Sequence, residues 1–171
     1  SIHKFISSQN QPIILNFWAS NCFPCRSEMK DFQLFFEQNK LETLIIGIDV
    51  GSQSNLGTKN GAKDLIKELN LTYPLGYSEK KDLLENYGII ALPSTVWILP
   101  NKKLYLKWTG ILNKDTLNKI TKDLEKVIAD FEGISNKLNS KEGTAGKLIN
   151  DDAVYNNLDR ATKQLEELLQ D

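Results

Sequence analysis

Sulfur and imidazole are scarce in this 171-residue chain, which has two Cys, one Met and one His. A small secreted fold held by disulfides needs more Cys, spread along the sequence. Charge of one sign is also missing: 21 Lys+Arg stand against 22 Asp+Glu, a net charge of −1. That leaves no basic footprint for nucleic acid, so no nucleic-acid partner is expected. Nor does any apolar run approach the roughly 18 residues of a membrane helix. The longest, Pro12–Leu15 and Leu44–Ile48, are strand-sized. What remains is 40% hydrophobic and 25% charged, the composition of a soluble globular protein. The length suits one ordinary domain with an appendage, or two very small domains. The chain begins with Ser1 rather than Met, which is compatible with a leader or anchor having been removed.

The two cysteines, Cys22 and Cys25, lie three residues apart. A bridge across so small a loop constrains the unfolded chain only weakly, so its value is chemical. Zinc is the other reading of C-x-x-C, but it takes four ligands, and the sole His is His3. Two small buried apolar residues would be the bland reading. Redox chemistry is favoured over both by the surrounding pattern. Pro12 to Trp18 reads as a buried strand, and Pro24 stands where a helix can begin. Met29, Phe32, Phe35 and Phe36 follow at helical spacing, predicting an amphipathic helix over 24–38. Leu44 to Asp49 is a second strand, which completes a βαβ unit with parallel strands.

Residues 51–58 read as a polar loop and 59–70 as a helix. Ser78 is expected to cap a short helix ending at Tyr87–Gly88. Residues 94–99 and 103–108 form an antiparallel hairpin about Pro100-Asn101. Asn113 caps a long helix. The expected architecture is α/β, a mixed four-stranded sheet flanked by helices. Its order puts the Cys pair at the carboxyl end of a parallel strand and the amino end of a helix. Unpaired N–H groups and the helix dipole favour negative charge there. Cys22 is therefore the expected nucleophile, and Cys25, one turn along, the resolving thiol.

The segments Asn16-Phe17-Trp18-Ala19-Ser20, Cys22-Phe23-Pro24-Cys25-Arg26 and Glu28-Met29, with Gly88 to Thr95 much later, resemble the thioredoxin superfamily, TlpA/ResA-like branch. The similarity spans about residues 10 to 130. It implies a thioredoxin fold and a cis Pro93 facing the Cys pair. Leu92 would then offer its backbone to an extended substrate, with Phe23 and Pro24 beside it. No metal and no cofactor beyond a Cys22–Cys25 disulfide is implied. The sequence departs from the family in three places. Asn21 stands where Trp usually precedes the first Cys. Asn16 replaces the buried Asp of thioredoxins proper, and Ser52 stands where some relatives carry a Glu. Asp49 and Glu28 are candidates for the missing proton-shuttling acid, but such positions are more often structural, and neither is assigned. Ile2, Phe5 and Ile6 predict a short N-terminal helix, on which His3 is an exposed residue.

The last helix outruns a thioredoxin domain. Leu117, Ile120, Leu124, Val127, Phe131, Ile134 and Leu138 repeat at 3-4-3-4 spacing, three heptads of a coiled-coil seam weakened by Gly133. Residues 140–146 break it. Asp151 and Asp152 open a further helix, with Val154, Leu158, Ala161, Leu165 and Leu168 on one face. Leu138 to Asp151, with Tyr155, Asn157 and Leu158, is similar to the C-terminal helical segment of MCE/MlaD-like lipid-transport proteins. None of the MCE β-domain is matched, so lipid transport is not carried over. The likeness suggests a helical element of cell-envelope assemblies, or a fusion. This face either folds back on its own domain or docks a partner, another copy included. The expected organisation is a thioredoxin-like domain over 1–130 and a helical tail over 131–171.

Two functions follow. One is thiol–disulfide exchange on protein dithiols or disulfides, served by an upstream electron donor or acceptor. The family resemblance implies an extracytoplasmic, periplasmic or membrane-tethered setting for it, often as a reductase, with the signal or anchor not present in this chain. The other is an interaction module assembled through the tail, with redox chemistry incidental. Lys80-Lys81 and Lys102-Lys103 read as solvated charges, and Trp97 and Trp108 as core or sheet-face packing.

Overall fold

In the computed structural model, the described residues are 2–39, 41–80, 82–139, 156 and 160. The chain divides into two compact units, residues 1–124 and 125–171.

The first unit is built on a five-stranded mixed sheet in the order β3-β2-β1-β4-β5. At its centre lies β1 (Ile13–Trp18), with all six residues buried. A strand covered on both faces reads as a continuous apolar run, as this one does. β2 (Leu44–Asp49) pairs with it in parallel, Asn16 opposite Gly47. β4 (Ser94–Ile98) pairs on the other side antiparallel, Asn16 opposite Thr95, and β5 (Leu104–Thr109) closes the hairpin. The fifth strand, β3 (Leu75–Tyr77), runs parallel to the end of β2 and corrects the four-stranded expectation. Three residues that follow Pro74 and include Gly76 carry no period by which a strand is recognised.

Side chains alternate across β1. Ile13, Leu15 and Phe17 join Ile46, Ile48 and Val96 in one apolar cluster. Ile6 of α1 (Ile2–Ser7) and Leu83 of α5 (Leu83–Asn86) belong to it. Each such side chain contributes about 1.5–3 kcal/mol by leaving water. The opposite face, with Asn16, meets α2 (Phe23–Asn39), which buries Cys25, Glu28, Met29, Phe32 and Phe35.

Local differences have local causes. The expected polar loop after β2 contains a short helix, α3 (Gly51–Ser54), at whose start the Gly51 N–H donates to Asp49 Oδ1 at 3.0 Å. α4 (Lys59–Glu68) starts at Thr58, whose hydroxyl accepts the Gly61 N–H at 3.1 Å. Ser78 accepts from Lys80 N–H instead of capping a helix, and α5 begins only at Leu83. Gly88 supplies the expected stop, at φ 60°. Trp97 is core, whereas Trp108 on the outer strand is 39% exposed.

Gly47 is a position of close approach. A Cβ there would lie 2.5 Å from Leu75 Cδ2 and 3.0 Å from both Trp18 Nε1 and Tyr73 Cε2. Gly47→Ala is expected to destabilise the protein by about 1–3 kcal/mol through overpacking. A urea midpoint unchanged from wild type would refute that.

α6 (Lys114–Asn139) opens where expected, the Thr116 N–H donating to Asn113 Oδ1 at 2.8 Å. The heptad reading is corrected over its first half. Leu117 and Leu124 are buried and belong to the first unit, so these positions serve as core. In the second unit, Val127, Phe131 and Ile134 are 44, 65 and 57% exposed. The Leu138 and His3 side chains, the break at 140–146 and the apolar face from Val154 to Leu168 lie outside the described residues. Among the described residues no helix is long and apolar enough to cross a membrane.

Candidate active site

β1 ends at Trp18, and three residues carry the chain to Cys22, immediately before α2. The turn is held by Cys22 N–H to Ala19 O at 3.1 Å and Asn21 N–H to Leu56 O at 2.7 Å. Cys22 and Cys25 form a disulfide, with Cα atoms 5.2 Å apart. The Cys25 N–H, one of the donors left unpaired by the first helical turn, points at Cys22 Sγ at 3.3 Å. Cys25 is fully buried and Cys22 is 5% exposed.

Phe23 and Pro24 are exposed beside the pair, Phe23 at 81%. The Leu92–Pro93 peptide is cis, with Pro93 buried and Leu92 half-buried. Pro93 directly precedes β4, one step beyond the Phe17–Ser94 pair, at the end of β1 from which the Cys turn departs. Asn21, at the usual Trp position, is exposed, as is Ser52. Arg26 reaches Glu68 at 2.6 Å, a solvent-facing pair of little energetic weight.

The residue that sequence reasoning left unassigned is Glu28. It lies one turn after Cys25 on the covered face of α2 and is fully buried. Its Oε1 accepts from Asn16 Nδ2 at 2.8 Å, and its Oε2 from the Leu112 N–H at 2.9 Å. Asn16 Nδ2 also donates to Thr95 Oγ1 at 3.1 Å. Burial raises the Glu28 carboxyl from 4.5 to about 7, with nearby Asp31 adding to the rise and the two hydrogen bonds opposing it. Burial likewise raises Asp49, whose carboxylate is engaged by Gly51. Tyr73 is raised by burial first and by Glu28 second. A signal for Glu28 was present: an acid at i+3 from Cys25, on the stripe continued by Met29 and Phe32. Among the described residues no group of three or more His, Cys, Asp or Glu could hold a metal.

A mixed sheet with a vicinal Cys pair at the strand–helix junction defines a thioredoxin-fold protein. Solved structures agree: StoA from Bacillus subtilis has a TM-score of 0.60 and 24% identity, covering 67% of this chain and 84% of that one. The chain belongs to the AhpC/TSA family, whose match spans residues 2–107. Residues 102–171 match a second family, described as a probable MCE-like lipid transporter, helical needle domain. Among curated relatives, thiol-disulfide oxidoreductase ResA of Oceanobacillus iheyensis is 28% identical over 116 residues, 68% of this chain and 58% of that protein. Sporulation thiol-disulfide oxidoreductase A of Bacillus subtilis is 30% identical over 106 residues, 62% of each chain. The chain thus spans about three-fifths of the length of these curated relatives.

Proposed function

We propose that the protein is a thiol–disulfide oxidoreductase acting on protein dithiols and disulfides, working as a reductase in the cell envelope. The observation that carries this reading is the Cys22–Cys25 disulfide at the amino end of α2, with buried Glu28 one turn further on.

In the reduced protein the Cys22 thiolate, favoured by the α2 dipole and its unpaired N–H groups, attacks one sulfur of a substrate disulfide. A mixed disulfide forms and the other substrate sulfur leaves as thiolate. Cys25 then loses its proton and attacks Cys22 Sγ, which expels the second substrate thiolate. Two electrons have passed to the substrate, and the Cys22–Cys25 bond has formed. A dithiol donor must return two electrons to close the cycle. Cys25 is buried, so its proton needs a local acceptor, and we assign that role to Glu28. Exposed Phe23 and Pro24 and the Leu92–Pro93 segment supply the substrate-facing surface. The extracytoplasmic setting rests on the TlpA/ResA resemblance.

The direction of flow is tested by the equilibrium reduction potential of the pair. A value at or below about −220 mV is expected for a reductase, whereas about −120 to −180 mV would make it an oxidase or isomerase.

A second reading, an assembly module that docks a partner or another copy through its tail, is favoured by the exposed Val127, Phe131 and Ile134. They lie on one side of α6 at 4-3 spacing.

A further inference from the structure

Among the described residues, both hydrogen-bond partners of the Glu28 carboxyl are donors, and neither accepts a proton from it. Oε1 faces the Asn16 amide nitrogen and Oε2 faces the Leu112 N–H, both donors. The pocket is shaped for a carboxylate, while burial favours the neutral acid. Asn16 is the part of this arrangement that can change. Its Nδ2 serves Glu28 and Thr95 together, and its Oδ1 is buried with no hydrogen-bond partner among the described residues. Turned over, the amide would place Oδ1 where it accepts from protonated Glu28 and from the Thr95 hydroxyl, which can act as donor or acceptor. Nδ2 would then take the unpartnered place. An orphaned carbonyl oxygen is tolerated better than an orphaned N–H, so the present orientation costs less on the Asn16 side and works for the carboxylate.

We propose that Asn16, held in plane by Thr95, is a positioning residue that governs whether Glu28 is charged. With Nδ2 toward Glu28 the carboxylate is held, and with Oδ1 toward it the acid is held, so one amide rotation accompanies each protonation. Cys25 lies on the same buried face of α2, one turn before Glu28. The inference deepens the redox reading, and its bearing on Cys25 rests on that reading.

The titratable neighbours are few. Asp31 and Cys25 share α2 with Glu28, and Asp31 raises its proton affinity. Tyr73, from the segment between α4 and β3, is a buried phenol that senses the Glu28 charge. Asp49 lies on the same face of the sheet but is engaged by Gly51 and lines a groove with Lys59 and Lys63 of α4. Asn16, Thr95 and the Leu112 backbone contribute only neutral groups. The hydrogen bond from Asn16 is thus the adjustable element.

The test is the titration midpoint of the Glu28 carboxyl in the full oxidised chain. It is read by carbon NMR, with the resonance assigned by its absence in Glu28→Gln. Asn16→Leu is expected to raise the midpoint by about one pH unit, because the hydrogen bond lost by the carboxylate is stronger than the one lost by the neutral acid. Asn16→Asp keeps the shape and so guards against failure of the Leu variant to fold. It is expected to raise the midpoint further, because two facing carboxyl groups share one proton. A midpoint that stays in place or falls in either folded variant overturns the proposal. A raised midpoint with an unchanged pH profile of disulfide exchange supports the role of Asn16 and counts instead against the redox role of Glu28.

Discussion

Cys22→Ser is expected to abolish disulfide exchange, by on the order of 10³-fold or more, because the attacking sulfur is gone and the one Cys that remains, Cys25, is fully buried. Cys25→Ser is expected to behave differently. The first attack survives, but the resolving thiol is missing, so a mixed disulfide between Cys22 and the substrate accumulates and is seen as a shifted band without reductant. Loss of fold does not explain either result. Opening so small a loop costs only about 2 kcal/mol in the chain-entropy account, which thermal melts of both variants would verify. Exchange retained in Cys22→Ser would refute the assignment of the nucleophile. Full cellular function in the Cys22→Ser/Cys25→Ser double variant would favour the assembly reading, in which the exposed stripe of α6 is the working surface.

Glu28→Gln is expected to remove a pH dependence of stability that the wild type shows near neutral pH. The wild-type carboxyl titrates at about 7 in the folded chain against 4.5 when unburied. Between those values the folded state binds more protons than the unfolded state, so wild-type stability falls as pH rises from about 4.5 to about 7. At about 1.4 kcal/mol per pH unit, the loss attributable to Glu28 is roughly 3 kcal/mol. Gln does not titrate and should lack this decline. The stability difference between wild type and Glu28→Gln should therefore move against the wild type by most of that amount between pH 5 and pH 8. Urea unfolding of the oxidised proteins at both values measures it. The same variant should slow resolution of the mixed disulfide by about 10²-fold near neutral pH, the size of a lost proton acceptor. A stability difference independent of pH would show that Glu28 is charged throughout, and would remove its acid–base role.

The two predictions divide the site by how visible it was in the sequence. The reactive pair was legible because strand, Cys-x-Pro-Cys and amphipathic helix stand consecutively, and local order alone puts Cys22 at a helix start. Glu28 belongs to the same helix, yet the sequence leaves it one of two unassigned candidates, with Asp49. Its meaning lies in Asn16, Thr95 and Leu112, which come from β1, β4 and the segment after β5. Their hydrogen bonds join residues 12, 79 and 84 positions apart in sequence. An acid in the first turns of a helix is ordinarily a solvated complement to the dipole, and only its burial says otherwise.

The same division runs through the fold. Long periodic or apolar segments declared themselves: β1, α2, β2, the hairpin and α6 lie within one or two residues of their expected bounds. β3 and α3 did not, and α5 was expected but starts later than its reading, since three or four residues carry too little pattern and their geometry is imposed by neighbours. Leu117, Leu124, Val127, Phe131 and Ile134 make the point within one helix. Their spacing determined an apolar stripe, but the division into buried core and exposed surface came from the sheet domain, which covers its first turns. By itself the sequence determined the βαβ frame, the place of the dithiol and the amphipathy of the last helix, because these depend on neighbours a few residues apart. Tertiary structure decided the fifth strand, the charge environment of Glu28 and the exposed part of α6. Each depends on which distant segments exclude water, and that is settled only when the chain is packed.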